Sequence, residues 1–219
     1  RYQLNSVEGV SEVASIGGMV RAWQIVPDPQ ALAARGITVA QLVEAVEAAG
    51  DMNNIKRWLR HLIRTPQSVD RAFPAAVLQR IQKEIADGER THSGEIRFAI
   101  EATLPWSYLR RNAPARERAE MVFAKLRVWD TEDNNGVLIY VELADHRVEI
   151  VADRGIARHV SSARWEEVAN MMRERFQAGD FEAGSIAAVR AVSAILAERF
   201  RLADGARNPN QLSDAPTVL

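Results

Sequence analysis

The first fifty residues contain two short runs in which apolar and polar positions alternate. Residues 10–16 and 20–26 are typical of β-strands, and Gly17-Gly18 between them is typical of a tight turn. Thr38 stands where a helix N-cap is expected, and the apolar residues that follow it have helical spacing. Residues 1–51 are therefore predicted to form a β-β-α fragment.

The pattern then changes to that of a basic amphipathic helix over residues 52–67. Its apolar positions recur at intervals of three and four, and basic residues without acidic neighbours occupy the other positions. A helix of this kind can lie on an anionic membrane surface, and it can equally pack its stripe on a protein core. On the membrane interpretation the surface-binding residues are Lys56, Arg57, Trp58, Arg60 and Arg64.

Residues 68–205 predict a layered α/β domain. Periodicity indicates helices over 74–90, 162–178 and 182–200, and Pro114 opens a further one. Alternation over 94–103 predicts a strand with one solvent-exposed face or an edge position. Val137–Leu143 is typical of a buried strand, and residues 148–151 pair back on it as a hairpin. The polar tail at 206–219 is expected to be flexible.

Composition and charge narrow the classes of function. The chain has 219 residues and no cysteine, which excludes disulfides, thiolate metal sites and cysteine nucleophiles. Its net charge of −1 gives no reason to expect a nucleic-acid partner. No apolar run reaches the roughly 20 residues of a membrane-spanning helix, and no signal peptide is recognised. The sequence predicts a cytoplasmic or peripheral membrane protein.

The net charge of the sequence also changes sign near Met52. Residues 1–51 carry three basic and six acidic side chains, a net of −3, which leaves +2 for residues 52–219. Gly50 ends a helical pattern just before this point, and Met52 could be a start codon. We interpret the division as the join of two unrelated pieces.

The densest group of polar side chains lies in the loop 129–136, between a helix and the strand 137–143. It contains three carboxylates and two amides: Asp130, Glu132, Asp133, Asn134 and Asn135. Oxygen ligands of this type suit Ca²⁺ or Mg²⁺. The same residue types also favour turns whatever the function, so both interpretations stay open.

A second candidate is Asp153-Arg154-Gly155, after the hairpin. The amides of a helix N-terminus beside Arg154 and Gly155 could hold an oxyanion or a phosphate. The alternative is a surface Asp–Arg contact with a turn glycine. The chain has no GxSxG, P-loop or GxGxxG motif and no His pair at helical spacing, so a serine hydrolase, a dinucleotide fold and a histidine-based metal site lack support.

The N-terminal piece resembles part of the porter domain of heavy-metal RND efflux pumps. The resemblance is carried by Val7-Glu-Gly-Val-Ser-Glu-Val-Ala-Ser-Ile-Gly-Gly18, Asp28-Pro-Gln-Ala-Leu32 and Gly36-Ile-Thr-Val-Ala-Gln-Leu42. Such pumps export metal ions through membrane helices. Because those helices are missing from this chain, transport is not expected of it.

The remainder resembles the TPM domain. The matching residues are Ser93-Gly-Glu-Ile-Arg-Phe-Ala99, Val128-Trp-Asp-Thr-Glu-Asp-Asn-Asn-Gly-Val-Leu-Ile-Tyr140 and Val148-Glu-Ile-Val-Ala-Asp-Arg-Gly-Ile156. The resemblance implies a three-layer α/β/α sandwich around a small central sheet. It also implies Ca²⁺ or Mg²⁺ binding, with Asp130, Asp133, Asn134 and Asn135 as the candidate site and Arg154 nearby.

Two functions follow from this resemblance. TPM domains are described as acid phosphatases or as photosystem-repair factors. The first hypothesis is a ligand- or divalent-cation-binding module at or near the bacterial membrane, with the membrane surface or a membrane protein as partner. The alternative is a metal-assisted acid phosphatase. The sequence leaves the oligomeric state open.

Overall fold

The computed structural model describes residues 33, 38–41, 52–64 and 66–219. The chain forms two compact units, Arg1–Arg64 and Thr65–Leu219. This boundary falls after the basic helix, which therefore belongs to the first unit. The strands predicted within residues 10–26 lie outside the described residues.

In the first unit, Thr38 caps a helical turn at residues 39–41, as predicted. Its Oγ1 accepts a hydrogen bond from the Gln41 backbone N–H at 3.2 Å, and Gln41 Oε1 accepts one from the Thr38 N–H at 2.8 Å. This reciprocal pair is a capping box. Helix α1 then spans Met52–Ile63. Among the described residues, no helix has the length and apolar character needed to cross a membrane.

The second unit alternates helices and strands in the predicted order. Its elements are α2 (Pro66–Ala72), α3 (Ala75–Glu89), β1 (Glu95–Glu101), α4 (Trp106–Arg110), α5 (Ala115–Lys125), β2 (Gly136–Glu142), β3 (Arg147–Ala152), α6 (Arg154–Ala157), α7 (Ser162–Gln177), α8 (Phe181–Arg199) and β4 (Thr217–Val218). Proline fits the start of a helix because it has no N–H to leave unpaired. Pro74 and Pro114 are accordingly the N-caps of α3 and α5.

The strands form one sheet in the order β3-β2-β1-β4. Strand β1 is parallel to both of its neighbours, β2 and β4. The predicted hairpin is present, since β2 and β3 pair antiparallel with Leu138 opposite Val151. Because side chains alternate along a strand, these registers assign every strand residue to one of two faces.

Helices α2, α3, α7 and α8 supply apolar residues to the core on the first face of the sheet, and α5 packs on the second. The first face comprises Ile96, Phe98, Ile100, Val137, Ile139, Val141, Val148 and Ile150. On the second face, Leu138 and Tyr140 pack with Ala119 and Val122 of α5. The sheet is therefore the middle of a three-layer α/β/α sandwich, as predicted.

Strand β1 is buried on both faces, which corrects the prediction of a solvent-exposed face or an edge position. All seven of its residues are buried, and the strand lies between β2 and β4. Its polar side chains on the second face bind other parts of the protein instead of water. Glu101, for example, accepts hydrogen bonds from Arg118 of α5 at 2.5 and 2.8 Å.

The tail at 206–219 is attached to β1, which corrects the expectation that it is flexible. Glu95 accepts hydrogen bonds from the backbone N–H groups of Gln211 and Leu212 at 3.1 and 3.0 Å. Arg97 donates to the Ser213 carbonyl and, at 2.7 Å, to Thr217 Oγ1. Polar side chains of a central strand thus satisfy the backbone of a segment that has no apolar periodicity of its own.

Candidate functional site

The loop 129–135 lies at the amino-terminal edge of the parallel strands β1 and β2. The register places Glu95 beside Gly136, so residues 93–94 run next to the end of the loop. A Cβ on Gly136 would collide with the Val128 carbonyl oxygen, which explains the glycine there. Asn134 has φ 52°, a left-handed conformation that asparagine tolerates better than most residues. The loop conformation is therefore set largely by its backbone.

Two of the predicted ligands, Asp133 and Asn135, are brought together by Ser93. The Ser93 hydroxyl donates to Asp133 Oδ2 at 3.3 Å and accepts from Asn135 Nδ2 at the same distance. These two hydrogen bonds fix the orientation of the Asn135 amide, since only Nδ2 can donate to the serine oxygen. Asn135 Oδ1 therefore does not face Ser93.

Two oxygen atoms at this corner are buried and have no hydrogen-bond partner among the described residues: Asn135 Oδ1 and Asp153 Oδ2. Their residues are only 1% and 6% exposed. The backbone brings the two segments alongside each other, because the Asp153 N–H donates to the Gly136 carbonyl at 2.9 Å and the Gly155 N–H donates to the Asn134 carbonyl at 2.8 Å. Unpaired buried acceptors are costly, and a bound cation would satisfy them.

The other two predicted ligands are placed differently. Asp130 is exposed and forms an ion pair with Arg127 at 3.2 Å. Asn134 and Asp133 are also exposed, so Asn135 is the buried residue among the four predicted ligands. Among the described residues, no group of three or more histidine, aspartate or glutamate side chains at metal-binding spacing includes Asp130 or Asp133. The corner offers a mixed set of carboxylate and amide oxygens rather than a carboxylate cluster.

The predicted anion site at Arg154 and Gly155 lacks the backbone donors that it requires. Helix α6 has four residues. The Arg154 N–H donates to Asp153 Oδ1 at 2.7 Å, and the Gly155 N–H is used by Asn134. The next two amides, of Ile156 and Ala157, donate to the Asp153 carbonyl. Gly155 instead allows close packing, because a Cβ there would collide with the carbonyl oxygens of the loop.

A family model for the TPM domain matches residues 69–195, an interval that contains β1 to β3 and the loop. The chain belongs to the TPM domain family. The NMR structure of the BA42 protein from the psychrophilic bacterium Bizionia argentinensis is similar, with a TM-score of 0.59 and 28% identity. That similarity covers 67% of this chain and 95% of BA42.

Residues 1–56, before the TPM domain, match a different family, the AcrB/AcrD/AcrF family. The cation efflux system proteins CusA of Escherichia coli K12 and O157:H7 are each 45% identical over 49 residues. The chain spans about a twentieth of the length of these curated relatives, since the match covers 5% of each. Both resemblances predicted from the sequence are thus confirmed.

Two residues of the TPM-domain corner, Asp153 and Ser93, were not among the predicted ligands. Asp153 could have been found, because extending the hairpin register by one pair places it opposite Gly136. Ser93 could not, because its position depends on the parallel pairing of β1 with β2. Parallel strands are joined by long connections, and their register leaves no local signal in the sequence.

A second polar group of the TPM domain lies at the opposite, carboxyl-terminal edge of β1 and β2. Tyr140 donates from its hydroxyl to Glu101 Oε2 at 2.5 Å, and Arg118 binds the same carboxylate through two nitrogens. Burial raises the pKa of Glu142, the neighbour of Glu101 in the β1–β2 register, to about 8. These groups hold the second face together, and no predicted site residue lies among them.

The tail joins the TPM domain at a third group of titratable residues. Glu89, at the end of α3, accepts a hydrogen bond from the Ile96 N–H at 2.8 Å. Burial, with the nearby carboxylates of Glu95 and Asp214, raises the pKa of Glu89 to about 9. His92 is fully buried, and burial lowers its pKa to about 4. Glu89 therefore carries a proton at neutral pH, and His92 does not.

Proposed function

We propose that the TPM domain is a binding module that takes a divalent cation, Ca²⁺ or Mg²⁺, at the corner between the loop 129–135 and residues 153–155. The observation that carries the proposal is the buried, unpartnered Oδ1 of Asn135. Asp133, linked to Asn135 through Ser93, supplies a negative charge, and Asp153 supplies a second buried oxygen. Carboxylate and amide oxygens are the ligands that these ions prefer.

A bound cation would act here as a structural link rather than as a catalyst. It would neutralise Asp133 and Asp153 and satisfy the orphaned oxygens of both segments. The loop before β2 and the turn after β3 would then be joined by an ion in addition to their backbone hydrogen bonds. Water would complete the coordination, because Ca²⁺ takes about six to eight oxygen ligands.

Two features favour a cation-binding module over the phosphatase alternative. Asp130, which the phosphatase alternative uses to hold the metal, is engaged with Arg127. The amides beside Arg154, which would stabilise a phosphate, are all engaged within the protein. The phosphatase alternative therefore lacks both its second carboxylate and its anion-binding amides.

The test is an NMR titration of the whole chain with CaCl₂ and with MgCl₂. Amide shifts are expected in residues 131–136 and 153–155. The variants Asp133→Asn and Asp153→Asn should weaken binding by about tenfold or more, because ligand charge sets the affinity of such sites. Asp130→Asn is the matched control, with the same charge change in the same loop and little expected effect. Equal affinity in all four proteins would contradict the proposal.

We also propose that α1 brings the module to an anionic membrane surface. The support is its composition, since Lys56, Arg57, Arg60 and the adjoining Arg64 have no acidic residue between them. Polybasic segments gain roughly 1 kcal/mol per cation near such a surface. Sedimentation with phosphatidylserine vesicles should exceed that with neutral vesicles. Equal sedimentation with anionic and neutral vesicles would contradict this part of the proposal.

A further inference from the structure

Strand β3 forms an open edge of the sheet. It ends the order β3-β2-β1-β4, so only one of its sides pairs with another strand of the TPM domain. The Asp153 N–H donates inward to Gly136, and residues that alternate with it therefore also face β2. The backbone groups of Val148, Ile150 and Ala152 consequently face outward. Such an edge is a template for pairing with another chain.

One arginine currently covers the middle of this edge. Arg116, in the first turn of α5, donates from Nη1 to the Ile150 carbonyl at 2.7 Å. The same guanidinium forms an ion pair with Glu120 through Nε at 2.9 Å. A charged side chain over an edge strand is a common protection against unspecific pairing. It can be displaced, because an incoming backbone N–H can replace Arg116 on the Ile150 carbonyl.

The edge forms the floor of a groove of about 440 Å³ between α5 and α7. Arg116 lines it on one side. On the other side the lining residues of α7 follow the three-and-four spacing of one side of the helix, and they include Trp165, Ala169 and Arg173. All of the lining residues belong to the second unit.

Trp165 lines the groove, and its indole N–H lacks a partner among the described residues. The residue is 9% exposed. A buried indole N–H normally has an acceptor. An occupant of the groove would lie against the Trp165 side chain.

The charges of the groove favour a negatively charged occupant. Three arginines line it against two glutamates: Arg116, Arg147, Arg173, Glu149 and Glu166. Arg147 is exposed, and within residues 66–219 its guanidinium has no hydrogen bond or ion pair. Arginine pairs well with carboxylates because it can bind both oxygens at once.

We propose that this groove binds an extended acidic segment of a partner protein, which adds to the sheet as a strand beside β3. The backbone of the segment would pair with Val148, Ile150 and Ala152, and its acidic side chains would meet Arg116, Arg147 and Arg173. Main-chain pairing supplies affinity in this mode of recognition, and the side-chain contacts supply specificity. The site is separate from the cation corner and does not depend on it.

The proposal can be tested on the whole chain with three fluorescein-labelled six-residue peptides, matched in length to β3. The first alternates valine with glutamate. The second replaces glutamate by lysine, and the third carries N-methyl groups on alternate residues so that one edge cannot pair. Fluorescence anisotropy should show binding of the first peptide and at least about tenfold weaker binding of the other two. The titration is repeated in EDTA, which should change nothing.

Variants then locate the site. Arg147→Glu and Arg173→Glu should each weaken binding of the acidic peptide about tenfold. Arg175→Glu is the matched control, because it makes the same change on an exposed position of α7 outside the groove. In ¹⁵N spectra one indole N–H signal should shift on binding, and Trp165→Phe should remove that signal. Thermal melting confirms that each variant is folded.

Three outcomes would overturn the proposal. The first is absence of binding of the acidic peptide up to about millimolar concentration. The second is equal affinity for the acidic and basic peptides, or for the N-methylated one. The third is full displacement of the peptide by free glutamate or succinate at a comparable concentration, which would indicate a site for small anions instead.

Discussion

The two faces of the sheet are buried by different chemistry. The first face is apolar throughout, and five helices of the TPM domain contribute side chains to its core. The second face mixes apolar residues with charged or polar ones that are equally inaccessible: Arg97, Glu101, Tyr140 and Glu142 are 0–8% exposed. Among the described residues outside the sheet, α5, the segment 126–128 and the C-terminal segment contribute apolar residues to that face.

Each buried charge on the second face binds a particular segment. Glu95 and Arg97 bind the tail, and Glu101 binds Arg118 of α5 and Tyr140. Burying an ion pair is costly, so these contacts add little net stability compared with apolar packing. These contacts contribute specificity instead, because each buried charged group is satisfied only by its complementary partner. We infer that the first face supplies most of the folding free energy and that the second face selects which segments cover it.

The largest effect is expected from Phe98→Ala on the first face. Phe98 is fully buried, and its ring lies 6.2 Å from that of Phe73, centroid to centroid. Deleting a buried aromatic ring leaves a cavity and costs about 3–5 kcal/mol of unfolding free energy. Urea unfolding followed by circular dichroism measures this loss. Phe123→Ala, on the half-buried rim of the second face, should lose clearly less, and equal losses would contradict the comparison.

A smaller but still large effect is expected from Arg118→Met on the second face. The change leaves the Glu101 carboxylate buried without its cation, which costs about 3 kcal/mol. Adding Glu101→Gln should recover part of this loss, because the uncompensated charge disappears while an acceptor for Tyr140 remains. Lys125→Met, an exposed position of α5, controls for the loss of a positive charge.

The recovery of stability in the double variant tests whether the buried charges of the second face select the segments that cover it or simply stabilise the fold. If Glu101→Gln with Arg118→Met unfolds as easily as Arg118→Met alone, then the cost does not arise from an unpaired carboxylate. In that case the second face would depend on packing in the same way as the first.

The sequence predicts well those parts of the fold that depend on local contacts. The helix expected over 74–90 is α3, Ala75–Glu89, and the strand expected over 137–143 is β2. The hairpin and the capping residues Thr38 and Pro114 were found for the same reason. In each case the determining residues lie within a few positions of one another.

The failures concern the second face and the site, where the contacts are mostly distant in sequence. Alternation along β1 correctly gave its polar positions, but their burial depends on residues more than a hundred positions away, in the tail. At the corner, Asp133 and Asn135 could be named from composition. Asp130 looked equivalent to them, and its ion pair with Arg127 is a local contact, three positions away, that was not predicted.

A dependence of stability on pH is expected at the point where the tail meets α3. The folded protein holds a proton on Glu89, whose pKa is raised from 4.5 to about 9 by burial and by carboxylates that include Asp214 of the tail. The unfolded chain releases that proton near the ordinary value. The group's contribution to stability is therefore complete below about pH 4.5 and is lost as the pH rises towards 9.

Glu89→Gln should remove this part of the pH dependence, because glutamine has no proton to lose and still offers an acceptor to the Ile96 N–H. Between pH 4.5 and 9 the variant should gain stability over the parent by up to about 1.4 kcal/mol per pH unit, and near pH 4.5 the difference should vanish. Urea unfolding at several pH values measures this, with Glu174→Gln, an exposed position of α7, as the control. Curves of stability against pH that run parallel for parent and variant would show that Glu89 is already ionised in the fold. The attachment of the tail would then not depend on the protonation of Glu89, and raising the pH would leave the covering of the second face unchanged.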